Sequence, residues 1–481
     1  MNIRLISYIL GWVLVIEGLC MQLSTIVGLV YEESSFIYFL IIGILSFIVG
    51  AALVIKKPKN PTMHLKDGFA STTLSWIVLS LVGALPLYFS KAIPSFIDAF
   101  FETVSGFTTT GATILTDVEA LDKCMLFWRS FSQFLGGLGV VVFLLAIIPK
   151  LGGNQSINLM KAESTGPAVG KSMPKLRTYA ALLYSIYIGL ALIEFILLLL
   201  GGMNVFDALT TAFSTAGTGG FSTYNASMGY FDSNYLQTVV AVFMMLFGIN
   251  FYVYILILTG KLKQILKMEE LWVYLSFVCL STVAIAINLL SYYDTFKEAI
   301  HQSFFYVTSV ISSTGYAITD TNPWPEFSKA LILILTCIGA SAGSTGGGFK
   351  VSRIIILLKE IKKEFLLIVH PRNIYTVKSE GKKVSHEVAR SVSVYLTLYI
   401  VIIAVTTVLI SFNGFDFTTN FTSVLATINN TGPGFSMVGS AGNYSEFSVF
   451  SKIVFCFNML AGRLELYPLV LILIPSAWKR N

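Results

Sequence analysis

The sequence predicts an all-α polytopic membrane protein, with two leading helices followed by four helix–pore loop–helix repeats around a pseudo-fourfold pore. Three observations carry this. Of 481 residues, 55% are hydrophobic and 12% charged, with mean hydropathy +0.76; soluble domains carry about 25% charged residues. Apolar runs long enough to cross a bilayer, for which about 20 residues suffice, recur at 3–30, 36–55, 68–90, 123–149, 176–200, 234–260, 270–291, 327–360, 388–411 and 447–475. Between them a Thr-Gly pair or a close variant appears four times: Thr109-Thr110-Gly111, Thr218-Gly219-Gly220, Ser313-Thr314-Gly315 and Asn430-Thr431-Gly432.

Residues 1–60 hold the two leading spans. The first is long and has no small-residue cleavage site, so it is expected to remain as a span. The repeats are expected at 61–160, 161–266, 267–375 and 376–481. Their glycines are spaced by 109 residues (Gly111 to Gly220), 95 (Gly220 to Gly315) and 117 (Gly315 to Gly432). Charge sets the orientation. Lys56, Lys57, Lys59 and Lys66 follow span two, and Lys161, Lys171, Lys175 and Arg177 follow span four. Lys261, Lys263 and Lys267 follow span six; Lys359, Lys362, Lys363, Arg372, Lys378, Lys382 and Lys383 precede span nine; Lys479 and Arg480 end the chain. With ten spans all fall on one side, the cytoplasmic one by the positive-inside rule, and both termini lie there too. The net charge of +6 is thus topological and implies no nucleic-acid partner.

The four glycine loops then face outward with Asp117, Glu119, Asp122, Asp232, Asp294, Asp320, Glu326 and Glu446. Two readings stand: an acidic mouth that concentrates cations, or ordinary solvated loop charge. Each loop follows a helix-start signal, Ser95 with Asp98, Asn204 with Asp207 and Thr295 with Glu298, while Asp416 serves the fourth repeat alone. From cap to glycine the distance is 16 residues in repeats one, two and four and 20 in the third, one extra helical turn. Such segments are too short to span. They read as re-entrant helices whose carboxyl ends, carrying partial negative charge, favour a cation. Irregular backbone at this depth requires a wet cavity or a protein surround. Four glycine loops converging there are what a ring of carbonyls around a dehydrated cation requires.

Two more features lie within spans. The stretch from Gly339 to Lys350 (GASAGSTGGGFK) interrupts span eight, since five glycines and three hydroxyl residues continue a helix poorly. Arg463, in Gly462-Arg463-Leu464-Glu465, is a charge deep in the last span; such charges are costly and usually functional. Glu465 is on another helix face, so the alternative for Arg463 is an ion pair with an acid elsewhere, Glu194 or Glu17. No enzyme is expected: His64, His301, His370 and His386 lack ligand spacing, and metalloprotease, nucleophile-elbow and phosphate-loop motifs are missing from the sequence. Cys20, Cys124, Cys279, Cys337 and Cys456 are scattered in or near apolar runs and read as buried hydrophobes.

On these residues the chain resembles the Trk/Ktr/HKT superfamily of potassium transporters over essentially its whole length, and the two extra leading helices match the TrkH branch better than the KtrB branch. The resemblance implies a potassium filter built by the backbone carbonyls of Thr110, Gly111, Gly219, Gly220, Thr314, Gly315, Thr431 and Gly432. Plant relatives with serine at the first glycine tend to favour sodium; glycine at all four positions implies potassium. Gly219, where the other loops have threonine, makes the ring inequivalent. The resemblance also implies an intramembrane gating loop containing Gly343, Ser344, Thr345, Gly346, Gly347, Gly348 and Lys350, with Arg463 projecting into the permeation path. It implies a homodimer with one pore per chain in the cytoplasmic membrane of a prokaryote, and a cytosolic nucleotide-binding TrkA-type regulatory partner. Segment 350–387 is a candidate docking surface, although the positive-inside rule alone accounts for its charge. Potassium is the permeant ion, and no organic cofactor is expected. The alternatives are a sodium- or proton-coupled potassium carrier, which would use Glu17, Glu194, Arg463 or Glu465, a less selective monovalent cation channel, or a membrane enzyme or scaffold.

Overall fold

The computed structural model describes residues 2–56, 58, 64–137, 139 and 176–475. The leading helices α1 (Ile3–Val30) and α2 (Phe36–Ile55) form an antiparallel hairpin. They touch backbone to backbone: a side chain on Gly11 would press on the Gly50 carbonyl, and one on Gly43 on the Gly18 carbonyl. Small residues permit this approach in lipid, where dispersion contacts rather than water exclusion hold helices together. The opposite face of α2, including Ile41, Leu45 and Ile48, is exposed. An uncovered apolar face of that length is the surface of a membrane protein.

Each repeat then adds a span, a short re-entrant helix and a second span. The first contains α3 (Leu65–Phe89), α4 (Phe96–Phe107) and α5 (Lys123–Gly137). The second contains α6 (Leu176–Leu200), α7 (Val205–Gly217), α8 (Asn234–Phe247) and α9 (Tyr252–Leu258). The third contains α10 (Glu269–Asn288), α11 (Phe296–Ile311), α12 (Glu326–Ile338) and α13 (Val351–Val369). The fourth contains α14 (His386–Ile410), α15 (Phe417–Ile428), α16 (Val449–Arg463) and α17 (Tyr467–Leu473). A two-stranded hairpin, β1 (Lys378–Ser379) and β2 (Lys382–Lys383), precedes α14. The re-entrant helices have 12, 13, 16 and 12 residues, so the third carries the extra turn that its cap spacing predicts.

Two spans expected to be continuous are broken. Span six bends by 95° between α8 and α9. The bend survives in an apolar setting because its backbone groups bond to the glycine-rich stretch: Ser341 N–H donates to the Gly248 carbonyl and Phe251 N–H to the Gly343 carbonyl, both at 3.1 Å. Span ten breaks after Arg463, with Glu465 and Leu466 left-handed at φ 63 and 61. Pro468, in the first turn of α17, restarts the helix. Span eight is interrupted between α12 and α13, as its glycines predict. The expected second half of span four (140–149), and Lys57, Lys59, Lys161, Lys171, Lys175, Lys479 and Arg480, lie outside the described residues.

Candidate functional site

The four re-entrant helices begin alike. Side chains of Ser95, Asn204, Thr295 and Asp416 accept the backbone N–H of Asp98, Asp207, Glu298 and Thr419. Each such cap stabilises its helix by about 1 kcal/mol. The Thr419 hydroxyl also donates to Asp416 at 2.5 Å and holds that carboxyl below its usual range.

They also end alike. The N–H groups of Thr110, Gly219, Thr314 and Thr431 reach back at 2.8–2.9 Å to the carbonyls of Ser105, Ser214, Ser309 and Ala426. Those of Thr109, Thr218, Ser313 and Asn430 bond to the carbonyls of Gly106, Thr215, Val310 and Thr427. This pair of bonds is the Schellman cap. It forces Thr109, Thr218, Ser313 and Asn430 into the left-handed region, at φ 56, 54, 60 and 53. The glycine two residues on is left-handed again, at φ 80, 72, 83 and 87 for Gly111, Gly220, Gly315 and Gly432. A non-glycine residue there costs roughly 1–2 kcal/mol. Strain repeated in four loops points to a functional constraint.

The loops meet in a closed cycle. A methyl group on Gly111 would strike the carbonyl of Gly219; on Gly220, that of Thr314; on Gly315, that of Thr431; on Gly432, that of Thr110. The eight residues picked out in the sequence as filter candidates therefore come together, although they span more than 300 positions. Hydrogen bonds lace the outer segments in the same order. Val118 N–H donates to Asn225 of repeat two at 2.8 Å, Gly229 N–H to Ala317 at 3.1 Å, Thr321 N–H to Ser440 at 3.3 Å and Tyr444 N–H to Thr113 at 2.8 Å. The Tyr444 hydroxyl also donates to the Gly432 carbonyl at 2.8 Å. Asp117 and Glu119, two of the outer acids, bond Asn225 across repeats and so serve this lacing.

The glycine-rich stretch packs directly against the re-entrant helix ends. Gly347 N–H donates to the Ser313 hydroxyl at 2.5 Å. Side chains on Gly346 and Gly347 would collide with the carbonyls of Ser312 and Asn429. Gly343 and Gly348 are left-handed (φ 70 and 81), and a side chain on Gly348 would meet Gly339. Ser344 closes a local turn onto the Ser341 carbonyl at 2.6 Å. The buried Lys350 ammonium donates to the Gly346 carbonyl.

Arg463 joins the broken spans. Its guanidinium donates to the Thr345 carbonyl at 2.8 Å and to the Gly136 and Gly137 carbonyls at 2.5 Å each. Thr345 N–H in turn reaches the Phe247 carbonyl at 3.4 Å. Glu465, considered from the sequence as a nearby acid, pairs with Arg353, which lies 3.9 Å from the centre of the Tyr395 ring. The carboxylates of Glu17 and Glu194 are buried, and neither has a hydrogen-bond partner among the described residues.

The sequence reading missed one buried ion pair at the site. Glu102 of α4 and Arg129 of α5 lie 2.8 Å apart, with 0% and 3% side-chain exposure. Glu102 also accepts from the Thr113 hydroxyl and Ile114 N–H, while Arg129 donates to the Ser222 carbonyl at 3.2 Å and lies over Phe221 at 4.1 Å. The available signal was an acid inside a re-entrant helix and a base inside the following span, each too costly at that depth to stand alone.

Comparison with known proteins adds identity to this geometry. The family model described as TrkH, cation transport protein, matches residues 37–479. The Trk system potassium uptake protein TrkH of Salmonella typhimurium is 34% identical over 486 residues, covering 100% of both chains. TrkG, a Trk system potassium uptake protein of Escherichia coli strain K12, is 33% identical over 485 residues and 99% of each chain. The crystal structure of the potassium transporter TrkH from Vibrio parahaemolyticus superposes with a TM-score of 0.89 at 32% identity, covering 100% of both chains. An unbroken match in sequence and in fold, over a chain whose four loops close into one ring, makes this protein a member of the TrkH family of cation transport proteins.

Proposed function

We propose that this protein takes up potassium through the ring formed by Thr110, Gly111, Gly219, Gly220, Thr314, Gly315, Thr431 and Gly432. The closed cycle of glycine-to-carbonyl approaches is the observation that carries the reading. Carbonyl oxygens on four strained, mutually wedged loops replace the water shell that the ion loses. Four re-entrant helices point their carboxyl ends at the same place and add partial negative charge. The repeats divide at 61–160, 161–266, 267–375 and 376–481, with the filter side outward, both termini cytoplasmic and the protein in the cytoplasmic membrane. It works as a homodimer with a nucleotide-binding TrkA-type regulator on its cytosolic side. Planar-bilayer recording of the purified protein under potassium, rubidium and sodium gradients tests the reading. Reversal potentials are expected to follow potassium. Equal permeability to sodium would refute the filter, and a current that needs a sodium or proton gradient would favour the coupled carrier.

Below the ring, Gly343, Ser344, Thr345, Gly346, Gly347, Gly348, Lys350 and Arg463 form the barrier that the regulator relieves. Arg463 acts twice: its charge repels the ion, and its bonds tie Thr345 to the end of α5. At about 5 Å and an effective dielectric near 20, a fixed charge repels a potassium ion by about 3 kcal/mol. Arg463→Gln is therefore expected to raise uptake at least about tenfold, the change that about 1.4 kcal/mol of barrier produces, at an unchanged potassium-to-sodium ratio. Unchanged uptake in a protein of normal melting temperature would remove Arg463 from the barrier.

A further inference from the structure

The loops differ at one point of the ring. The residue before the glycine is threonine in three repeats, Thr110, Thr314 and Thr431, and glycine in the second, Gly219. Backbone geometry does not require that glycine. None of the four residues is left-handed, and all four donate the same N–H bond to the helix end behind them. A side chain at 219 is instead excluded by one neighbour: the three atoms it would meet first, all within 2.7 Å, belong to the side chain of Gln133.

Gln133 comes from α5, in repeat one, and is fully buried. Its amide oxygen accepts from Phe221 N–H at 3.1 Å, one residue past the ring glycine. Its own backbone carbonyl abuts Gly217, where a side chain would again collide. One residue thus braces loop two at 217, 219 and 221, on either side of the ring glycine. Loops one and three carry a hydroxyl pair at the same place, whereas in loop four Asn429 replaces one partner and the Thr431 hydroxyl has no hydrogen-bond partner among the described residues. The Thr110 hydroxyl bonds to the Thr108 hydroxyl at 2.8 Å and accepts from the Asn430 amide at 2.9 Å. The Thr314 hydroxyl bonds to the Ser312 hydroxyl at 2.7 Å. Loop two has glycine at both corresponding positions, 217 and 219, and so has no hydroxyl pair of its own.

We propose that Gln133 is a specificity-determining positioning residue: its amide occupies the place of the missing threonine side chain in loop two and holds the Gly219 carbonyl against Gly111. The inference rests on reading the ring as a potassium filter. Gln133 does not touch the ion; it sets where one of the four ring carbonyls stands. Loop two is therefore braced from the neighbouring repeat, which couples the first two loops mechanically. The Gly219/Gln133 pair is a steric exchange, so a reciprocal exchange should compensate.

The test uses the full-length purified protein in planar bilayers, with potassium-to-sodium permeability ratios and melting temperatures measured on the same samples. Gln133→Met keeps the volume and removes the amide. It is expected to lower the ratio about fivefold, the effect of one lost hydrogen bond of about 1 kcal/mol, with a melting temperature close to the parent's. Gly219→Thr alone should lower the ratio by at least as much, because its side chain has no room. Gln133→Ala with Gly219→Thr should restore the ratio to within about twofold of the parent, the non-additivity expected of residues in contact. A parental ratio in Gln133→Met overturns the proposal, as does a double variant no better than its worse single. If the parent itself does not discriminate potassium from sodium, the filter reading fails; if the parent discriminates and Gln133→Met matches it, only the role of Gln133 fails.

Discussion

Gly111→Ser is expected to reduce potassium-over-sodium selectivity by at least about tenfold, equivalent to about 1.4 kcal/mol of lost discrimination. Two independent costs converge at this position. At φ +80 a side chain is strained by about 1–2 kcal/mol, and its first atom would overlap the Gly219 carbonyl. The loop cannot meet both demands without moving a ring oxygen, and the added hydroxyl brings a competing dipole to the ring. The same logic applies to Gly220, Gly315 and Gly432 against the Thr314, Thr431 and Thr110 carbonyls. Gly202 supplies the control. Its φ is +88, yet a side chain there would meet nothing within 4 Å. Gly202→Ala therefore carries the backbone strain without the collision and should leave the permeability ratio unchanged. Selectivity that survives substitution at all four ring glycines would refute the filter.

What the sequence revealed follows from the range of the forces involved. Helix caps and the ring glycines are decided by atoms within a few residues, so Ser95, Asn204, Thr295 and Asp416 could be read directly, and the extra turn of the third re-entrant helix followed from counting. The left-handed Thr109, Thr218 and Ser313 were not legible, because only the Schellman bonds to the helix behind them force that conformation; Asn430 alone is a residue type that tolerates it. The breaks in spans six and ten were hidden for another reason. Hydropathy registers apolar content, and both segments are apolar enough on average to read as one continuous span despite Asn250 in the first and Arg463 and Glu465 in the second. The freed backbone groups of span six are satisfied by Ser341, Gly343 and Thr345, distant in sequence, while at the break in span ten Leu466 N–H turns back to the Ala461 carbonyl at 2.9 Å. Gly248 and Pro468 were the local traces. The partners of Arg463 were the least accessible, since two of its acceptors are main-chain carbonyls of repeat one. No pattern of residue types announces a backbone acceptor.

The buried pair of Glu102 and Arg129 is where a stability effect and a selectivity effect can be pulled apart. Removing either partner strands a charge in a site with at most 3% exposure, so Glu102→Gln and Arg129→Met should each destabilise the protein by about 3–5 kcal/mol. The two losses should not add, because after the first change no pair is left for the second to break. Replacing both with apolar residues of similar volume, Glu102→Leu with Arg129→Met, should recover most of the stability, since a buried ion pair is often matched by well-packed hydrocarbon. Selectivity should not recover with it. The double variant still lacks the guanidinium that holds the Ser222 carbonyl and covers Phe221, two residues that follow Gly220 directly. Thermal unfolding in detergent and permeability ratios on the same four proteins give the answer. A double variant restored in both respects would reduce the pair to a packing element, while one that is stable yet poorly selective would tie Arg129 to the alignment of loop two.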